Sequence, residues 1–296
     1  MMFGQLVTAM VTPFNESLEL DVKRLPKLIE HLISTGTTAL VVSGTTGESA
    51  TLSHREKLQL FEETVRIVAG RIPVIAGTGG NNTAEAIAFT KEVEKLQVDA
   101  FLLVAPYYNK PSQEGLYQHF TSIAHETDKP VIVYNIPGRT SVNIVPETII
   151  RLAAIDNIVA VKESSGDFTQ ISRIIGETPD DFYVYSGDDK FTLPILALGG
   201  YGVVSVAAHV AGQSMHDMLR AFFDRDLLTA RHIHHRLMPL FEGLFKTSNP
   251  VLVKAALEMI DIRVGSVRLP LVPASAEEMR ELRRTLGSLV DLSTVH

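Results

Sequence analysis

Lys162 ends a short apolar run, Ile158-Val159-Ala160-Val161, and is followed by Glu163-Ser164-Ser165-Gly166-Asp167. The run reads as a buried parallel strand, and the Ser/Gly/Asp cluster as the loop after it. Burial disfavours an ammonium, and an unprotonated amine can attack a ketone to form a Schiff base. The plainer alternative is a strand-end lysine paired with a nearby carboxylate. An imine-forming lysine needs a proton donor and acceptor within hydrogen-bond reach. Tyr134 ends the preceding apolar run, Val131–Tyr134, and is placed to serve. A small keto acid also needs its carboxylate held. Thr45 and Thr46, flanked by Gly44 and Gly47, can offer backbone N–H groups and hydroxyls in a tight anion-binding turn. Arg139 can clamp a second carboxylate bidentately, with a surface ion pair as the alternative.

These residues need a scaffold that brings loop ends together. Short β-rich runs occur at Leu6–Val11, Ala39–Val42, Val74–Ala76, Ala100–Val104, Val131–Tyr134, Ile158–Val161, Tyr183–Tyr185 and Val203–Val206. Between them lie stretches that read as helices. Ser53-His54-Arg55-Glu56 opens one with a capping-box pattern, Asn82-Thr83-Ala84-Glu85 precedes another, and Pro146 suits the first turn of a third. This alternation predicts an α/β fold, a (β/α)8 TIM barrel. Chemistry in such barrels sits at the C-terminal ends of the strands. There the chain places Ser43–Ser49, Ala105–Pro111, Tyr134–Thr140 and Lys162-Glu163, with Gly202–Val206 as the eighth strand. After residue 224 the pattern changes to three amphipathic stretches, 226–246, 250–260 and 276–289. The expected organisation is a catalytic barrel over 1–224 and a C-terminal helical region over 225–296, packed on the barrel or used between subunits.

Composition narrows the function further. The chain has 296 residues, is 45% hydrophobic and carries a net charge of −7 with both signs interspersed. A large core is therefore available, and no basic stripe points to nucleic acid. No run of eighteen apolar residues suggests a membrane span, and the N-terminus lacks the pattern of a signal peptide. The absence of cysteine removes disulfides, thiol catalysis and cysteine metal sites together. A cytoplasmic enzyme is expected. His232-Ile233-His234-His235 has no HExxH spacing and lies in a predicted helix, so no metal is expected there. Asp188-Asp189 reads as a loop or helix cap. Gly199-Gly200-Tyr201-Gly202 precedes its strand, which argues against a barrel phosphate site. No P-loop or GxGxxG unit indicates a nucleotide cofactor.

Six segments together resemble the dihydrodipicolinate synthase family: GTTGES (44–49), IPVIAGTGGNNTAEAI (72–87), APYYNKPSQEGLYQHF (105–120), YNIPGRT (134–140), VKESSGD (161–167) and GVVSV (202–206). The resemblance runs over essentially the whole chain. It implies that Lys162 condenses with pyruvate while Tyr134 shuttles protons through Thr45 and Tyr108. The last of these is contributed by the neighbouring subunit of a tight dimer. Thr46 and the backbone carbonyl of Val204 would hold pyruvate, and Arg139 the carboxylate of L-aspartate 4-semialdehyde. No cofactor is implied, because the imine is the electron sink, and the implied assembly is a homotetramer of tight dimers. Sister enzymes, N-acetylneuraminate lyase and the 2-keto-3-deoxy sugar acid aldolases, share GTTGE and the Lys-Glu pair but generally lack the arginine. A catalytically silent sensor would have lost Lys162, Tyr134 or the threonine turn, and all are present.

The resemblance also implies a lysine effector site at Ser49, Ala50, His54, Asn81, Glu85 and Tyr107. Lysine-sensitive relatives often carry histidine at the position of Lys57. An ammonium there would repel the ligand's amino end, by about 3 kcal/mol at 5 Å and a dielectric of roughly 20. Weak or absent lysine inhibition is therefore expected.

Overall fold

The computed structural model describes residues 3–287 and 289. Eight strands form one closed barrel in the order β1 to β8. They are β1 (Leu6–Ala9), β2 (Ala39–Val42), β3 (Val74–Gly77), β4 (Ala100–Val104), β5 (Val131–Asn135), β6 (Ile158–Glu163), β7 (Tyr183–Ser186) and β8 (Gly202–Ser205). Helices separate successive strands, so the expected TIM barrel is the observed one. Nearly every strand residue is buried, which is why the strands read as continuous apolar runs rather than alternating ones.

By contact density the chain forms two compact units, residues 1–72 with 205–296, and residues 73–204. In the first, β1 and β2 pair in parallel with Thr8 opposite Leu40. β1 stops at Ala9 rather than Val11, because the Val11 N–H donates to the His209 ring at 3.2 Å instead of continuing a ladder. The helix His54–Val68 opens with the expected capping box, Ser53 and Glu56 bonding reciprocally. β8 begins one residue earlier than expected and ends at Ser205. Ser205 Oγ accepts the Ala208 N–H at 2.9 Å, turning the chain into the helix Ala208–Phe223.

The three amphipathic stretches are the helices Leu227–Gly243, Val251–Met259 and Ala276–Gly287. Leu227–Gly243 packs on both Ala208–Phe223 and Ala276–Gly287. Residues 288 and 290–296 of the expected helical region lie outside the described residues, as do Met1 and Met2.

In the second unit, β3 to β8 pair in parallel sequence. Asn82 accepts from Ala84 and Glu85 N–H to cap the helix Thr83–Glu94, and Pro146 opens the helix Pro146–Leu152. Asp188 caps a single 3-10 turn, Asp189–Phe191. Phe101, Phe120 and Tyr185 are the largest fully buried side chains of this unit.

Candidate active site

β6 runs two residues further than its apolar run suggests. Lys162 pairs with Tyr134 on one side and Tyr185 on the other, and Glu163 with Asn135 and Ser186. Lys162 is therefore a strand residue. Its rigid backbone fixes where the amine points. The residue is only 6% exposed, and Nζ stands 4.1 Å from the centroid of the buried Tyr134 ring. Among the described residues Lys162 has no ion pair and donates no hydrogen bond. The sequence's plainer reading, a lysine paired with a carboxylate, is thus not what forms. Glu163 does not serve as that partner, because successive strand side chains point to opposite faces.

Glu163 is instead locked into an amide network. Ser165 N–H donates to Oε1 at 2.6 Å, Asn135 Nδ2 to Oε2 at 3.0 Å, and Gln170 Nε2 to Oε2 at 3.4 Å. Burial outweighs these donors and raises the Glu163 carboxyl above its ordinary range. Asn135 also donates to Asn143 Oδ1 at 2.8 Å and accepts from Ile144 N–H at 3.0 Å. The network ties the ends of β5 and β6 together one residue past Tyr134 and Lys162. Gly187 closes in from β7. A Cβ there would lie 1.9 Å from Ser164 Oγ and 3.1 Å from Lys162 Cε, so glycine is what lets the loop pass the lysine stem.

Arg139 sits on the short helix Pro137–Thr140 directly after β5, exposed and without an ion pair among the described residues. The surface ion pair that the sequence also allowed does not form among the described residues. Tyr108 has a left-handed backbone, φ +73°, and its ring is 89% exposed. A bulky residue in that conformation carries strain that ordinary loops avoid. Val204 is buried in β8. Of the effector positions in this unit, Asn81 Nδ2 donates to the Tyr107 carbonyl at 3.2 Å, and Glu85 is exposed in the first turn of Thr83–Glu94.

In the other unit, Thr45 is half-buried and Thr46 buried, on a turn closed by Glu48 N–H donating to the Thr45 carbonyl at 3.0 Å. Ser49 and Ala50 lie in the 3-10 turn Ser49–Thr51, with Ala50 and His54 exposed. Lys57 is half-buried rather than swung into solvent, and burial lowers its pKa.

Side chains far along the chain brace this turn, and the motifs give no sign of them. Asn249 Nδ2 donates to Thr46 Oγ1 at 2.8 Å. Lys254 Nζ donates to Glu48 Oε1 at 2.7 Å, both side chains being almost fully buried, and to the Ser266 carbonyl at 2.7 Å. Burial, which outweighs the nearby carboxylate, pushes Lys254 down to about 8. Arg268 N–H donates to Glu48 Oε2 at 3.0 Å, and its guanidinium pairs with Glu56 at 2.5 Å. The Arg268 guanidinium, its hydrogen bond first, holds Glu56 at about 2. Removing one partner of a buried pair such as Lys254–Glu48 costs on the order of 3–5 kcal/mol. A lone lysine inside Val251-Leu252-Val253-Lys254-Ala255-Ala256-Leu257 was the available signal, since such a lysine is buried only when paired.

The helix with His232, His234 and His235 buries only His234, which burial makes harder to protonate. No group of metal-ligating side chains suited to an ion is found among the described residues.

A parallel barrel presenting an unpaired, buried lysine against a tyrosine ring has the architecture of a Schiff-base aldolase or lyase. The Dihydrodipicolinate synthetase family matches residues 2–289, and the chain belongs to that family. It is an enzyme, a lyase of the 4-hydroxy-tetrahydrodipicolinate synthase type. The 4-hydroxy-tetrahydrodipicolinate synthase of Bacillus subtilis (strain 168) is 56% identical over 290 residues, covering 98% of this chain and 100% of the relative. The crystal structure of a dihydrodipicolinate synthase from Bacillus anthracis superposes with a TM-score of 0.96 at 50% identity, covering 97% of this chain and 99% of that one. The enzyme from Cyanidioschyzon merolae, solved with lysine bound, gives 0.95 at 47% identity, covering 97% and 98%.

Proposed function

We propose that this chain condenses pyruvate with L-aspartate 4-semialdehyde to give 4-hydroxy-tetrahydrodipicolinate, for lysine and diaminopimelate biosynthesis, and that Lys162 is the amine that carries pyruvate. The observation that carries this reading is the buried Lys162 amine, without a carboxylate partner, over the Tyr134 ring. Its nitrogen attacks the pyruvate ketone, and water leaves as the imine forms. Tyr134 moves the protons this requires, relayed through Thr45 and Tyr108. Loss of a methyl proton turns the imine into an enamine, whose carbon attacks the semialdehyde's aldehyde. The substrate's amine then closes the ring and releases Lys162. Thr46 and the Val204 carbonyl hold pyruvate, and Arg139 holds the semialdehyde's carboxylate.

The exposed, backbone-strained Tyr108 suits a residue completed by a second copy of the chain, in a tetramer built from tight dimers. No helix among the described residues is long and apolar enough to cross a membrane. A cytoplasmic place is proposed on the biosynthetic role. Lysine, bound in the Cyanidioschyzon relative, is the proposed effector at Ser49, Ala50, His54, Asn81, Glu85 and Tyr107. Burial lowers the Lys57 pKa, and the repulsion argument applies to its ammonium form. Inhibition is weak on this account and strengthens in Lys57→His, which an inhibition titration of both proteins checks.

A coupled assay tests the reaction. Turnover with pyruvate and L-aspartate 4-semialdehyde, and none in the cleavage of N-acetylneuraminate or 2-keto-3-deoxy sugar acids, is the expected result. Cleavage of a sugar acid with no semialdehyde turnover would assign the chain to a sister activity.

A further inference from the structure

Thr46 does not hold its own hydroxyl in place. Its Oγ accepts the Nδ2 proton of Asn249 at 2.8 Å, across 203 residues of sequence, and the two residues are 3% and 6% exposed. A threonine hydroxyl has one proton to give. With Oγ engaged as acceptor by an amide that needs no proton back, the Thr46 proton is free for another group. Among the described residues the amide gains nothing else from this orientation, since the buried Asn249 Oδ1 has no hydrogen-bond partner there. An orphaned buried acceptor is unfavourable and calls for a reason.

The brace is built into one helix start. Asn249 lies just before Pro250, the N-cap of Val251–Met259, and Lys254 sits in the first turn of that helix. Asn249 grips Thr46, and Lys254 grips Glu48, two residues along the same turn. Glu48 has a left-handed backbone, φ +54°, which the grip on both its carboxylate oxygens offsets.

The geometry points to Asn249 as a positioning residue for substrate binding: it fixes Thr46 Oγ as an acceptor, so that the Thr46 O–H is presented as a donor to a carboxylate. This rests on the reading that Thr46 binds pyruvate. A donor already turned toward an anion needs no reorganisation when the anion arrives.

The test measures how much pyruvate half-saturates borohydride-trappable imine, in the full-length parent, Asn249→Asp, Asn249→Ala, Thr46→Val and Thr46→Val/Asn249→Ala proteins, with melting temperatures alongside. Asn249→Asp keeps the shape but replaces the donor by an acceptor that draws in the Thr46 proton. Half-saturation rises by about tenfold or more. The loss is partly reversed as pH falls from 8 to 5 and the new carboxyl, its pKa raised by burial, regains a proton to donate. The parent shows no such recovery. Asn249→Ala weakens pyruvate binding less, and adds nothing further once Thr46→Val has removed the hydroxyl.

If Thr46→Val weakens pyruvate binding while both single Asn249 variants stay within about twofold of the parent, Thr46 binds pyruvate and Asn249 does not position it. If Thr46→Val itself changes nothing, the reading of Thr46 fails and the proposal with it. If Asn249→Asp does not fold, the additivity of Asn249→Ala with Thr46→Val decides. Additive losses, or losses that track melting temperature alone, make Asn249 purely structural.

Discussion

A buried lysine ordinarily brings a carboxylate with it, and this chain shows both outcomes. Lys254 has Glu48 at 2.7 Å, whereas Lys162 has no carboxylate partner among the described residues and its Nζ stands 4.1 Å from the Tyr134 ring centroid. The first is a brace, and the second is the amine proposed to carry pyruvate. Arg139 is proposed to act with Lys162: it is exposed, has no ion pair among the described residues, and lies on the short helix that follows β5. Arg139→Ala should lower kcat/KM for the semialdehyde by a factor corresponding to about 2–5 kcal/mol while leaving pyruvate imine formation nearly unchanged. Steady-state kinetics beside borohydride trapping separates the two. Equal losses would assign Arg139 to pyruvate or to structure.

At the scale of elements, the strands were legible because eight buried apolar runs recur between capped helices, and Ser53 and Asn82 cap as their spacing implies. Their ends were less so. β6 continues through Lys162 and Glu163 because neighbouring strands offer partners to those polar residues, and composition alone does not reveal a partner. The residues proposed for the chemistry, Lys162, Tyr134 and Arg139, were visible as types and spacings. The braces Asn135, Glu163, Asn249 and Lys254 were not, because they act through contacts distant in sequence. Gly187 is a case of the same kind, an absent side chain whose purpose appears only beside Lys162. Gly187→Ala should push on Ser164 and the lysine stem and slow imine formation by about tenfold or more. Stopped-flow trapping with pyruvate checks this, and an unchanged rate would show that the loop yields freely.

For the whole molecule, two buried histidines set an acid limit. His209 donates from Nδ1 to the Val206 carbonyl and accepts the Val11 N–H at Nε2, an arrangement that requires a neutral ring. Burial lowers His209 and His119 to about 4 each. Their folded values lie below the unfolded value of about 6.5, so the unfolded chain binds more protons as pH drops. The stability they contribute is complete above about 6.5 and is lost as pH falls toward 4. Linkage predicts a loss of about 2 kcal/mol per histidine between pH 7 and 5, read by denaturant unfolding. A flat profile over that range would contradict it.

The exposed Tyr108 makes a prediction about assembly. Mixing inactive Lys162→Ala and Tyr108→Phe chains under exchange conditions should restore activity, because a hybrid dimer contains one site with both residues intact. Hybrids that form without activity would rule out a shared site.

The central claim is that Lys162 is the pyruvate-carrying amine. Incubation with pyruvate and borohydride, followed by peptide mass spectrometry, tests it most directly. A single reduced pyruvate adduct is expected on the peptide containing Lys162, absent without pyruvate and absent in Lys162→Ala. An unmodified Lys162, or the adduct on Lys254 or another lysine, would contradict it.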